Sequence, residues 1–145
     1  MRTLSKKFFC GVLSLIMITS ILCSSASAAT QSSEYLNGYA ASVTPIGKGA
    51  IVVTVDVLGV GSMTEIGAKV IYIYESADNK SFSQVATFDC EDYPNMMGSG
   101  YYYNKDAITY QGTKGYYYYA SVYVYAANEN GSDLKHYTTS SKRAT

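Results

Sequence analysis

Beyond residue 35 the chain is organised by alternation. From Tyr116 it reads Tyr-Tyr-Tyr-Tyr-Ala-Ser-Val-Tyr-Val-Tyr-Ala-Ala, a run of aromatic, β-branched and small residues that suits an extended strand. Drawn as a strand, it puts Tyr116, Tyr118, Ala120, Val122, Val124 and Ala126 on one face and Tyr117, Tyr119, Ser121, Tyr123 and Tyr125 on the other. The first set reads as core and the second as an outer face. Residues 50–58 group Ile51, Val53, Val55 and Val57 and turn Thr54 and Asp56 outward; residues 69–75 alternate Ile71 and Ile73 with Tyr72 and Tyr74. Weaker runs of the same kind are residues 39–44, 82–88, 107–111 and 134–139. Turn residues punctuate them at Pro45-Ile46-Gly47-Lys48-Gly49, Asp78-Asn79-Lys80, Gly112-Thr113-Lys114-Gly115 and Asn128-Glu129-Asn130-Gly131. About seven short strands with turns between them, and no segment with the period of an amphipathic helix, predict an all-β fold: a single antiparallel β-sandwich over residues 35–140.

The first 28 residues follow a different rule. Arg2, Lys6 and Lys7 precede an apolar run over residues 8–22, which ends in Ser24-Ser25-Ala26-Ser27-Ala28-Ala29. A basic start, an apolar centre and small residues at −3 and −1 (Ala26 and Ala28) make a secretory signal peptide, with cleavage expected after Ala28. The apolar run is shorter than the roughly 20 residues that span a bilayer, so no membrane span is expected after cleavage. Leu22 stands before Cys23 where a lipidated cysteine needs a small neighbour, which argues against a lipoprotein. Residues 29–34 and 141–145 are expected to be flexible ends, and the domain between them to be secreted.

Composition changes the picture once this segment is set aside. The balance of 11 basic and 11 acidic residues loses Arg2, Lys6 and Lys7 and becomes an excess of three acidic ones. All 16 tyrosines remain, there is no tryptophan, and Cys90 is the one cysteine left. Such a chain is no basic nucleic-acid binder and no disulfide-stapled miniprotein. Its single histidine, His136, is expected on the surface of the last strand, and no serine sits in a Gly-x-Ser-x-Gly elbow. Cys90 reads as a small buried or half-buried hydrophobe, with an intermolecular disulfide or a reactive thiol as its alternatives. Asp89, Glu91, Asp92 and Asn95 gather hard oxygens without the spacing of a calcium loop. No catalytic residue, metal ligand or cofactor site is therefore expected.

Residues 112–132 resemble the penultimate strand and final hairpin of fibronectin type III domains, and Ile71-Tyr72-Ile73-Tyr74-Glu75-Ser76-Ala77-Asp78-Asn79-Lys80-Ser81-Phe82 resembles their third strand and following turn. The whole chain is also similar to a set of small exported proteins of Gram-positive bacteria, a resemblance that implies export and no activity. It departs from the fibronectin pattern in lacking a tryptophan in the second strand and in carrying a long crossing over residues 89–105. The resemblance implies that Tyr116 or Tyr118 bonds its hydroxyl back to the backbone. It also implies that the strands from Lys69 and Gly115 share a sheet, which lines up Tyr72, Tyr74, Tyr117, Tyr119, Tyr123 and Tyr125 on its outer face.

A fold of this kind implies no chemistry, so function has to be read from a surface. Tyrosine offers a broad ring and a hydroxyl at low entropic cost, which suits recognition. The six sheet tyrosines are one candidate face. The long crossing, with Tyr93, Met96, Met97, Tyr101, Tyr102 and Tyr103 among glycines, is the other, and is expected to be a contact loop. The expected function is a non-catalytic secreted module that binds an extracellular protein or glycan. Its alternative is a matrix component that forms homo-oligomers through the tyrosine ladder.

Overall fold

The computed structural model describes residues 33–145; the expected signal peptide and residues 29–32 lie outside the described residues. Seven strands follow in order: β1 (Leu36–Gly47), β2 (Ala50–Ser76), β3 (Ser83–Asp89), β4 (Met97–Gln111), β5 (Tyr117–Asn128), β6 (Gly131–Thr138) and β7 (Lys142–Arg143). One short 3-10 turn, Pro94–Met96, precedes β4. The protein is all-β, and every strand pair of its curled sheet is antiparallel.

Strand β2 organises the molecule. Its first half pairs with β1 on one side and β4 on the other, from Ala50 to Leu58. Its second half pairs with β5 and β3, from Glu65 and Val70 respectively to Glu75 or Ser76. The partners change across Gly59-Val60-Gly61-Ser62, where the register with β4 also slips between Leu58 and Met63. The sequence pattern reads residues 50–58 and 69–75 as two separate strands. In the structure residues 59–62 are a bend within one strand of 27 residues. Gly67 marks the end of the changeover. It takes φ +149°, and a Cβ there would lie 2.2 Å from the Met96 carbonyl oxygen, so only glycine lets β2 pass the 3-10 turn.

The alternation predicts the core faces well. Ile51, Val53, Val55 and Val57 of the first half, Ile71 and Ile73 of the second, and Tyr118, Ala120, Val122, Val124 and Ala126 of β5 are all fully buried in one cluster. Each buried Val or Ile contributes roughly 1.5–3 kcal/mol relative to exposure. Tyr118 is the tyrosine whose hydroxyl turns back to backbone, accepting the Thr113 N–H at 2.7 Å and donating to Glu75. Gly112 clears the way for it, since a Cβ at Gly112 would lie 2.5 Å from the Tyr118 ring. Tyr116, grouped with the core by parity, is exposed instead.

Two other expectations are corrected. Residues 97–103 are not a loop: β4 begins at Met97, because Met97, Gly98 and Gly100 find partners in Gly67, Ile66 and Met63 of β2. Residues 142–145 are not a loose end either. Lys142 and Arg143 extend the sheet beside Tyr118 and Tyr117, and Ala144 is buried, its N–H donating to the Tyr116 carbonyl. At the other end Ser33 is tied down by its hydroxyl, which donates to Asp133.

Candidate functional site

The structure places the six tyrosines of the sheet face on β2 and β5, where four of them pair. Tyr74 and Tyr119 face each other across β2 and β5 and stack at 4.7 Å with planes 6° apart, and Phe82 packs edge-on against Tyr119 at 4.9 Å. Tyr72 meets Tyr123 edge-on at 6.1 Å, and Tyr123 lies 4.9 Å from the His136 ring. The two remaining rings are covered by cations, Lys69 over Tyr125 and Arg143 over Tyr117. All six side chains are half-buried. Four of the rings pair with one another and two lie under cations; the ring pairs stabilise the sheet by roughly 0.2–1 kcal/mol each, and less aromatic surface is left for a ligand.

The second candidate group is scattered by the formation of β4. Met96 is fully buried and Tyr103 is 2% exposed, with its hydroxyl donating to the Asn95 carbonyl at 2.6 Å. Burial pushes the Tyr103 phenol up to about 12. These two are core, and Met97 is half-buried against the glycines of β2. Tyr93 packs edge-on against Phe88 at 4.9 Å, away from the others in the chain's register. Tyr101 and Tyr102 are the most exposed of the group, at 64% and 54%, with Tyr93 at 44%.

Tyr102 belongs to a polar network that lies on the opposite flank of the sheet from the ladder's strands. On the outer face of β1, β2 and β4 the register sets Gly38, Leu58 and Tyr102 in one row, Ala40, Asp56 and Asn104 in the next, and Ser42, Thr54 and Asp106 in a third. The Tyr102 hydroxyl donates to Asp56 Oδ2 at 3.0 Å, and Asn104 Nδ2 donates to the same oxygen at 2.9 Å and to the Tyr102 oxygen at 2.9 Å. Thr54 donates to Asp106 Oδ1 at 2.7 Å. Side chains from two strands thus hold an exposed phenol ring in a fixed place by three mutual hydrogen bonds. The outward parity of Thr54 and Asp56 is legible in the sequence. Asn104 and Asp106 are missed there because the alternating run that becomes β4 is read in the sequence only from Ala107.

Groups capable of other chemistry are spent elsewhere. His136 Nε2 lies 2.6 Å from Ser121 Oγ, a contact made across β5 and β6 on the ladder face. No carboxylate orients this histidine among the described residues, and the Ser121 stretch of backbone is committed to strand pairing on both sides. Cys90 packs against the core half-buried, and desolvation raises its thiol above the ordinary value. Asp89 Oδ1 accepts the Glu91 N–H at 2.9 Å, and among the described residues no group of three or more His, Cys, Asp or Glu side chains converges as a metal site. No helix among the described residues is long and apolar enough to cross a membrane. Comparison with protein-family models, curated proteins and solved structures finds no match to this chain.

Proposed function

We propose that the protein is an exported, non-catalytic recognition module that binds a partner outside the cell through Tyr101, Tyr102 and the polar face beside them. Export rests on the three-zone signal over residues 1–28. The observation that carries the recognition reading is the exposed Tyr102 ring, pinned by Asp56 and Asn104. A phenol immobilised before binding loses less entropy on binding, which is how rigid aromatic anchors gain affinity. Within this reading the two flanks of β2 are the facing sheets of a sandwich of fibronectin type III-like order. That arrangement is supported by the strand neighbours β1–β2–β4 and β3–β2–β5–β6 and by the single core shared between the halves of β2.

Affinity capture on the purified protein and on its Tyr101→Ser/Tyr102→Ser double variant tests the proposal. The expected result is a partner retained by the wild type and by Tyr72→Ser, and lost by the double variant. Capture that is equal for all three removes the β4 tyrosines from the account.

A further inference from the structure

The face that carries Asp56 and Tyr102 is chemically one-sided. Across its three rows the charged side chains are Asp56 and Asp106, with no lysine or arginine among them. Asp56 Oδ2 takes both internal donors, and both hydrogens of Asn104 Nδ2 are engaged. Among the described residues nothing donates to Asp56 Oδ1, to the second oxygen of Asp106 or to Asn104 Oδ1. Apart from the Ser42 hydroxyl, what the face has left to offer is a set of acceptors beside an exposed ring and the half-open Leu58 side chain. On the β1 side the rows end in Gly38, Ala40 and Ser42, which rise little above the sheet. The Tyr102 ring therefore borders a shelf that is open from the β1 direction.

We infer that this shelf binds a neutral saccharide, whose hydroxyls donate to Asp56, Asn104 and Asp106 while its C–H face packs on Tyr102 and Leu58. The inference rests on the recognition reading above and names its ligand class. A sugar brings several O–H donors in fixed directions together with an apolar face, which matches acceptors set beside a ring. Other occupants match less well. An anionic polymer meets two carboxylates with no cation to offset them. An apolar peptide leaves the acceptors dry and unpaired. A calcium ion gains nothing from the ring and finds two carboxylates where six or more oxygens are needed.

The test is a screen of wild-type protein against neutral glucans, galactans and mannans, uronic-acid polymers and oligolysine, followed by calorimetry with and without a chelator. The variants are Tyr102→Ala, Asp56→Asn and, on the ladder face, Tyr72→Ser, each confirmed as folded by its denaturation midpoint. The expected result is binding of a neutral oligosaccharide and not of the uronic-acid polymer, about tenfold weaker for Tyr102→Ala and for Asp56→Asn and unchanged for Tyr72→Ser or by the chelator. Neutral saccharide binding that survives both shelf variants overturns the placement. Preference for oligolysine or the uronic acids, or binding lost to the chelator, overturns the ligand class. If no saccharide binds while Tyr101→Ser/Tyr102→Ser still loses a captured protein, the saccharide assignment falls and the recognition reading stands. If the wild type captures nothing at all, both fall.

Discussion

Replacing Tyr118 with phenylalanine keeps a fully buried ring in place and deletes one oxygen. That oxygen accepts the Thr113 N–H at 2.7 Å and donates to the Glu75 carboxylate. A neutral hydrogen bond contributes about 1 kcal/mol net and one to a charged group about 1.5–3 kcal/mol. The substitution also leaves a half-buried carboxylate and a backbone donor without their partner. The expected loss is about 2–4 kcal/mol, which for a domain of this size lowers Tm by roughly 8–16 °C. Urea denaturation followed by circular dichroism reads it directly, and the slope with denaturant should stay unchanged because the same surface is exposed. Tyr116→Phe is the control: its ring is exposed, and its effect should stay within about 0.5 kcal/mol. Glu75→Gln completes a double-mutant cycle, with an expected coupling of about 1.5–3 kcal/mol to Tyr118→Phe. A Tyr118→Phe protein within about 0.5 kcal/mol of wild type would refute the claim that this hydroxyl ties the β4–β5 connection to β2.

Gly67→Ala should be among the most damaging single changes, about 3 kcal/mol or more, since its Cβ would meet the Met96 carbonyl at 2.2 Å; a midpoint like that of wild type in the same assay contradicts this. Burial raises the Tyr103 phenol from 10 to about 12, so the stability it contributes is whole below pH 10 and is lost as pH rises through 12. A phenolate absorbance titration should show a late group whose ionisation coincides with unfolding. Asp78 behaves oppositely: its carboxyl is held near 2 by the N–H groups of Ser81 and Lys80 and by the Ser76 hydroxyl. Its contribution is present above 3.8 and fades as pH falls through 2, and Asp78→Ala should speed amide exchange at Lys80 and Ser81 without moving amides in β5. Removing residues 142–145 deletes the β7 pairing and uncovers the edge beside Tyr117 and Tyr118, which should lower the denaturation midpoint; an unchanged midpoint would show that this segment holds nothing together.

How far the sequence speaks depends on which residues carry a local signal. In β5 and in both halves of β2 the alternation is clear, and parity gives most of the buried set, though Val52, Ser121 and Ala127 are buried against it. The continuity of β2 through Gly59-Val60-Gly61-Ser62 has no such signal: Gly59 pairs with Leu36 and the Val60 N–H donates to the Tyr35 carbonyl, while the β4 register breaks between Leu58 and Met63. Residues 97–103 mislead for the same reason: Met97, Gly98, Ser99 and Gly100 have no alternation of their own, and β2 makes them a strand. Lys142-Arg143-Ala144-Thr145 reads as solvated, yet Ala144 is buried against the β5 region. At the site, the outward turn of Thr54 and Asp56 is legible and the Asn104–Tyr102 half is not, since it exists only once β4 has extended to Met97. The tyrosine ladder is legible as a face, but only the ring geometry tells that its surfaces are partly taken.

The length of β2 bears on how the chain comes to be folded at all. One edge of its second half pairs with the neighbouring β3, but the other closes against residues 117–127, with Glu65 opposite Ala127 and Ser76 opposite Tyr117, so these contacts are slow to form by loop-closure entropy. A chain emerging N-terminus first can pair Ile51, Val52, Val53, Val55 and Val57 with β1 and Ile71 and Ile73 with β3, but leaves these β-prone segments with one open edge until β4 and β5 exist. Such segments are where strand-to-strand aggregation starts. Between the emergence of β2 and that of β5 this open edge is unprotected, and a holding chaperone that covers residues 50–76 is expected to reduce aggregation.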